Sequence, residues 1–242
     1  MNKKIYFELL FLVTLGAITS LSLPPYNYLF INFVTFSLFF IFLFKKKSSK
    51  NKKNSFVYGW SFGFGYFFTN LYWISISLTF DANFNFLIPI ALILIPAFLA
   101  LFYGLATYFL FLFKINKITS SLFLFSLIFG IIEFCRGTIL TGFPWNLIAY
   151  SFSNNLEIIQ VVSLIGTYSF NMLCISFFVS PALLILKKNN KEILVFIFFL
   201  LSIIILYISG SAKIKNFNSS GVIKNDYLIR LVGSNIKLDR FY

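Results

Sequence analysis

Residues 119–146 read TSSLFLFSLIFGIIEFCRGTILTGFPWN. An apolar run at 119–136 is long enough for a helix to cross most of a hydrocarbon core about 30 Å thick. It ends with Glu133 and Arg136 three residues apart, then passes through Gly137 into Thr141-Gly142-Phe143-Pro144-Trp145-Asn146. An ionisable side chain at membrane depth is costly and points to function. A second reading stays open, in which the pair lies at the interface: Arg136 snorkels to lipid phosphate and Glu133 meets it across one helical turn.

The rest of the chain repeats the apolar character. Of 242 residues, 59% are apolar and 21% aromatic, with only 11% charged and a mean hydropathy of +0.88. A soluble surface does not tolerate that composition, so the chain reads as an all-α integral membrane protein. The net charge of +13 invites a nucleic-acid reading. However, thirteen of the 20 basic residues lie at the amino end or in three short loops, which is a signal of membrane topology rather than of a groove-binding face. No nucleic-acid partner is therefore expected. The sequence has no His, and its two cysteines, Cys135 and Cys174, form no metal-binding spacing. No cofactor, metal or disulfide framework is indicated.

Seven apolar runs are readable, at about 5–22, 28–44, 56–78, 87–113, 119–136, 158–186 and 192–210. They predict a bundle of seven transmembrane helices over residues 1–210, the first of them retained rather than cleaved as a signal peptide. Lysines fall at 3–4, at 45–53, at 114 and 117, and at 187–191. The alternate loops at 23–27, 79–86 and 137–157 carry one Asp, one Glu and no Lys or Arg. This alternation predicts a cytoplasmic amino terminus and places residues after about 210 outside. Residues 211–226 are polar and read as a linker, and Tyr227–Val232 reads as a short strand. A single strand is not stable alone, so the chain is expected to end inside a second, external domain.

Two regions carry candidate binding residues. In the third run, Gly59, Ser61, Gly63 and Gly65 give small-residue faces for close helix contact, and Tyr72 and Trp73 approach the outer interface. There they either belong to an aromatic belt or line an opening for lipid chains. The external stretch 137–157 holds Trp145, Asn146 and Tyr150, with Gln160, Ser163 and Tyr168 just beyond it. With Glu133 and Arg136 these residues form a candidate rim for a lipid headgroup, although ordinary helix hydrogen bonding explains Ser163 and Tyr168 as well. The candidate substrate or interface residues are thus Trp73, Glu133, Arg136, Trp145, Asn146, Tyr150 and Gln160. No catalytic residue is assigned, because acyl transfer needs a nucleophile, a base and an oxyanion stabiliser within reach of one another. Cys135 follows Glu133 by two residues and does not share its helix face.

Four ordered blocks resemble the apolipoprotein N-acyltransferase family: Leu23-Pro24-Pro25-Tyr26, Gly59 to Trp73, Glu133 through Trp145 with Tyr150, and Arg230 to Ile236. The third is the specific one, an Arg-Gly followed by Thr-Gly-Phe-Pro-Trp. The resemblance implies a bacterial inner-membrane enzyme with amino-terminal transmembrane helices and a periplasmic nitrilase-like domain. Such an enzyme moves an acyl chain from a phospholipid donor to the amino-terminal diacylglyceryl-cysteine of a lipoprotein acceptor. It also implies that the Cys nucleophile, Glu base and Lys belong to the nitrilase-like domain, of which 227–242 matches only the opening. By resemblance, then, the chain is the membrane part of such an enzyme, incomplete for catalysis as it stands: either a truncated or split form, the split form completed by a separately encoded nitrilase-like half, or a residual membrane domain. The alternative is a non-catalytic membrane scaffold or lipid-binding subunit.

Overall fold

In hydrocarbon every backbone N–H and C=O must find its partner within the chain, so apolar runs wind into helices. The computed structural model describes residues 3–46, 52–113, 117–140, 142–220 and Arg230. Among them are α1 (Lys3–Thr19), α2 (Phe30–Lys46), α3 (Lys52–Asn70), α4 (Ile88–Leu112) and α5 (Ile118–Thr138). There follow α6 (Leu156–Ile159), α7 (Val162–Ile165), α8 (Thr167–Val179), α9 (Ala182–Leu186) and α10 (Asn190–Ser219). The described residues contain no β-strand; of the strand expected at 227–232 only Arg230 is among them, and it is in no strand.

The seven expected spans are corrected to four. Only Lys3–Ser22, Ala82–Leu112, Ile118–Thr138 and Asn190–Ser219 are long and apolar enough, among the described residues, to cross a membrane. α2 has 17 residues, and α3 opens on Lys52-Lys53-Asn54-Ser55, which shortens its apolar part. The third run does not continue as α-helix past Asn70. Tyr72–Thr79 winds as 3-10 helix, with the hydroxyls of Ser75, Ser77 and Thr79 each donating to the carbonyl three residues back. Such local bonds compete with the α-helical pattern. The sixth run is broken into α6, α7, α8 and α9: Gly166 is left-handed at φ 78°, and Pro181 precedes α9 without an N–H to give. The expected linker is partly corrected as well, since α10 carries on through Ser219.

α3 packs along α1 on one side and α4 on the other. A Cβ placed on Gly16 would meet the carbonyl oxygen of Phe62, and one on Gly65 would meet that of Val13, so α1 and α3 touch backbone to backbone. Gly59 lies against the Tyr103 carbonyl of α4 and Gly63 against the Tyr103 side chain, and Thr107 Oγ1 donates to Ser55 O at 2.7 Å across that seam. The core around them is aromatic. Phe39 stacks on Phe62 with centroids 4.1 Å apart and meets Phe125 and Phe129 edge-on. That geometry joins α2, α3 and α5.

The lysine-bearing ends share one end of the bundle. Lys46 Nζ pairs with Glu8 at 2.6 Å, and Tyr58 Oη donates to the same carboxylate at 3.3 Å. Further along α3, Phe62 meets Phe36 and Phe39, and Tyr66 reaches the loop that follows α5. The Glu133–Trp145 segment therefore lies at the end away from those lysines.

Candidate functional site

The three-residue spacing puts Glu133 and Arg136 on one face of α5, and that face points inward. Arg136 Nε donates to Glu133 Oε2 at 3.0 Å, and Nη2 donates to the same oxygen. Each residue is 1% exposed, which overturns the snorkelling reading: the pair is sealed inside the bundle. Burying two charges is tolerable only if they are paired and their remaining polar atoms are satisfied. Arg136 meets that condition by donating from Nη1 to the carbonyls of Phe143 at 2.7 Å and Trp145 at 2.9 Å. The guanidinium also lies 5.2 Å from the centroid of the Phe67 ring.

These bonds hold an unusual loop. Leu140, Gly142 and Asn146 all have left-handed backbones, at φ 55°, 78° and 59°. Glycine adopts that region freely, whereas a leucine does so at a cost. The turn brings Phe143 N back to donate to Arg136 O at 2.9 Å. Tyr66 Oη donates to Asn146 O at 2.8 Å. Arginine and tyrosine together therefore satisfy three carbonyls of the loop, those of Phe143, Trp145 and Asn146. Tyr103 interacts electrostatically with the Glu133 carboxylate, although no hydrogen bond of ordinary geometry engages its hydroxyl or Glu133 Oε1.

Outside this lock the aromatic residues face outward. Trp145 stacks on Trp73 with centroids 5.0 Å apart and planes 22° apart, and on Phe143 at 6.1 Å. Tyr150 Oη donates to Pro144 O at 3.3 Å, and burial, followed by the neighbouring Tyr168, raises its phenol above the usual value, keeping it a neutral donor. Ala149 N donates to Asn171 Oδ1 of α8 at 2.9 Å, which anchors the far side of the loop. Gln160 is not drawn in: its amide donates to Leu156 O of its own turn at 3.3 Å.

Beside the loop runs an apolar groove of about 330 Å³. Leu94, Phe98 and Phe102 of α4 form one wall, Ile139, Leu140 and Phe143 the other, and Arg136 touches its floor. The groove suits a hydrocarbon chain, and the Trp73–Trp145 stack suits the boundary between hydrocarbon and headgroups. Six of the seven residues singled out from sequence thus belong to one loop assembly. Tyr66, Phe67 and Tyr103 belong to it too and were not singled out. Their only sequence signal was a phenol or ring in an apolar helix, which the many neighbouring aromatic residues hid.

The family model described as the Apolipoprotein N-acyltransferase N-terminal domain matches residues 15–180, which takes in the whole loop assembly. The chain belongs to the apolipoprotein N-acyltransferase family. An apolipoprotein N-acyltransferase of Rhodopseudomonas palustris is 37% identical over 185 residues, covering 73% of this chain and 33% of that protein. The one of Rickettsia bellii is 34% identical over 173 residues, with 70% and 33% covered, and that of Rickettsia prowazekii is 30% identical over 180, with 74% and 35% covered. The matched region of this chain thus corresponds to about a third of the length of these curated relatives. It is the N-terminal membrane region of the N-acyltransferase family that the Arg136 lock and the groove occupy.

Proposed function

We propose that this chain is the membrane part of an apolipoprotein N-acyltransferase of the bacterial inner membrane. It holds a phospholipid acyl donor while an acyl chain passes to the amino-terminal diacylglyceryl-cysteine of a lipoprotein. The observation that carries this reading is the apolar groove beside the rigid, tryptophan-bearing loop, inside the segment matched to the family. Glu133 and Arg136 set the loop, Asn146 and Tyr150 brace it, and Trp73 with Trp145 guides the lipid at the headgroup level. Gln160, bonded within its own turn, takes no part in holding the donor. A nitrilase-like part, contiguous beyond α10 or separately encoded, supplies the catalytic Cys, Glu and Lys. The amino terminus is cytoplasmic and the loop assembly faces the periplasm, as the lysine distribution supports.

A second reading, a non-catalytic scaffold or lipid-binding subunit, is favoured by one observation: the Arg136 side chain is spent on Glu133 and two carbonyls. Reconstitution separates the two. The chain is mixed with phospholipid and a diacylglyceryl peptide, with and without a nitrilase-like half, and the peptide is weighed by mass spectrometry. Acylated peptide is expected only when the half is supplied. Acylation by the 242-residue chain alone would refute the division of labour, and no acylation in either mixture would leave the scaffold. Filling the groove with Leu94→Trp should reduce retention of phospholipid by the chain, and unchanged retention would remove the groove from the reading.

A further inference from the structure

At the opposite end of the bundle, α5 and α10 begin side by side around a second cavity, of about 560 Å³. Lys117, Lys188 and Lys191 line it, and all three are exposed. The one carboxylate on its wall among the described residues, Glu192, is 7% exposed and is turned in to accept from Asn189 N at 2.9 Å, as the capping group of α10. Neither ion pair found among the described residues involves these lysines. The start of α5 has no side-chain cap, so its first-turn N–H groups add positive potential to the same concavity. Three like charges around one hollow repel each other until an anion enters.

The remaining wall says what kind of anion. Leu194 and Val195 line the cavity, Leu194 is 64% exposed, and the apolar surface runs on down α10 through Ile197 and Phe198. A ligand with an anionic head and a hydrocarbon tail fits both parts, whereas free phosphate leaves the apolar wall uncovered. The volume also lies in the range of small-molecule sites, about 300–1,000 Å³, and exceeds what a lone phosphate fills. The geometry points to a binding site for an anionic phospholipid between the starts of α5 and α10, its phosphodiester among Lys117, Lys188 and Lys191 and its acyl chains along Leu194 and Val195. The site is separate from the groove beside α4 and stands whichever reading of that groove holds. It gives the bundle a lipid that ties α10 to α5 from the lysine-rich face.

Native mass spectrometry of the full chain, released from mild detergent, tests it with dioleoylphosphatidylglycerol and dioleoylphosphatidylcholine, which share acyl chains and differ in net charge. The expected result is retention of one phosphatidylglycerol with a preference of about tenfold over phosphatidylcholine, shrinking at high salt. Lys117→Gln/Lys188→Gln/Lys191→Gln should bring the two lipids to parity, and Lys213→Gln at the other end should leave the preference intact. Should the triple variant fail to fold, the single variants each lower the preference in part, and the salt arm reads the wild type directly. Equal retention by wild type, or a preference that survives in the triple variant, overturns the site. Inorganic phosphate displacing the lipid at equal concentration overturns the lipid assignment and leaves a free-anion site.

Discussion

Arg136 acts as a cross-link made of hydrogen bonds. Its fork satisfies Glu133 within α5 and two carbonyls in the loop beyond, so one side chain sets both the end of the helix and the path of the chain after it. Lysine at that position has no planar fork and cannot reproduce the set. Arg136→Gln leaves the Glu133 carboxylate buried without its counter-charge and is expected to cost about 3–5 kcal/mol, read as a lowered unfolding midpoint in detergent. Adding Glu133→Gln should recover part of the loss. Strict additivity of the two would show that they are not coupled. Tyr66→Phe removes only the bond to Asn146 O and keeps the ring packing, so a loss of about 1 kcal/mol is expected. A drop as large as that of Arg136→Gln would mean that the phenol holds more than the one carbonyl.

Between elements, glycine serves two different purposes that substitution separates. Gly16 and Gly65 let the backbones of α1 and α3 meet, so an alanine at either forces the helices apart and is expected to cost about 1–3 kcal/mol. Gly166 stands in open space but at φ 78°, so Gly166→Ala strains the backbone without a clash, at about 1–2 kcal/mol. A Leu at each position tells the two apart: it should worsen Gly16 and Gly65 sharply and leave Gly166 near its alanine value. Equal responses at all three would sink the distinction. α10 shows how helix length answers its surroundings. Its 30 residues span about 45 Å, more than a hydrocarbon core. The excess is held at the far end by Lys213 Nζ donating to Ser163 Oγ at 2.6 Å, and Gly210 lies against the Glu157 carbonyl.

For the molecule as a whole, sidedness is the property to test. In a variant with Cys135 and Cys174 replaced, a cysteine at Lys188 should react with an impermeant thiol reagent only from the cytoplasmic side, and one at Leu164 only from the periplasmic side. The reverse pattern would invert the orientation and with it the face proposed for acyl transfer. The membrane class was legible in composition, because so much apolar surface has no aqueous solution. The common end of the lysines was legible in their spacing, because loop charge follows topology. Glu133 and Arg136 were legible as a pair, since three residues on a helix make a near neighbour. The number of spans was not, because apolar runs register hydropathy and not the local bonds of Ser75, Ser77 and Thr79 or the breaks at Gly166 and Pro181 that divide them. Nor was the direction of Arg136. A helix face points to lipid or to the interior according to what packs beside it, and only the approach of α3, with Tyr66 and Phe67, and of α4, with Tyr103, turned that face inward. The sequence by itself determined a lipid-embedded helical chain with one charged pair before a rigid loop. The tertiary structure alone decided that the pair is the buried strut of that loop and that a groove opens beside it, because burial and concavity belong to neighbouring helices and not to any one segment.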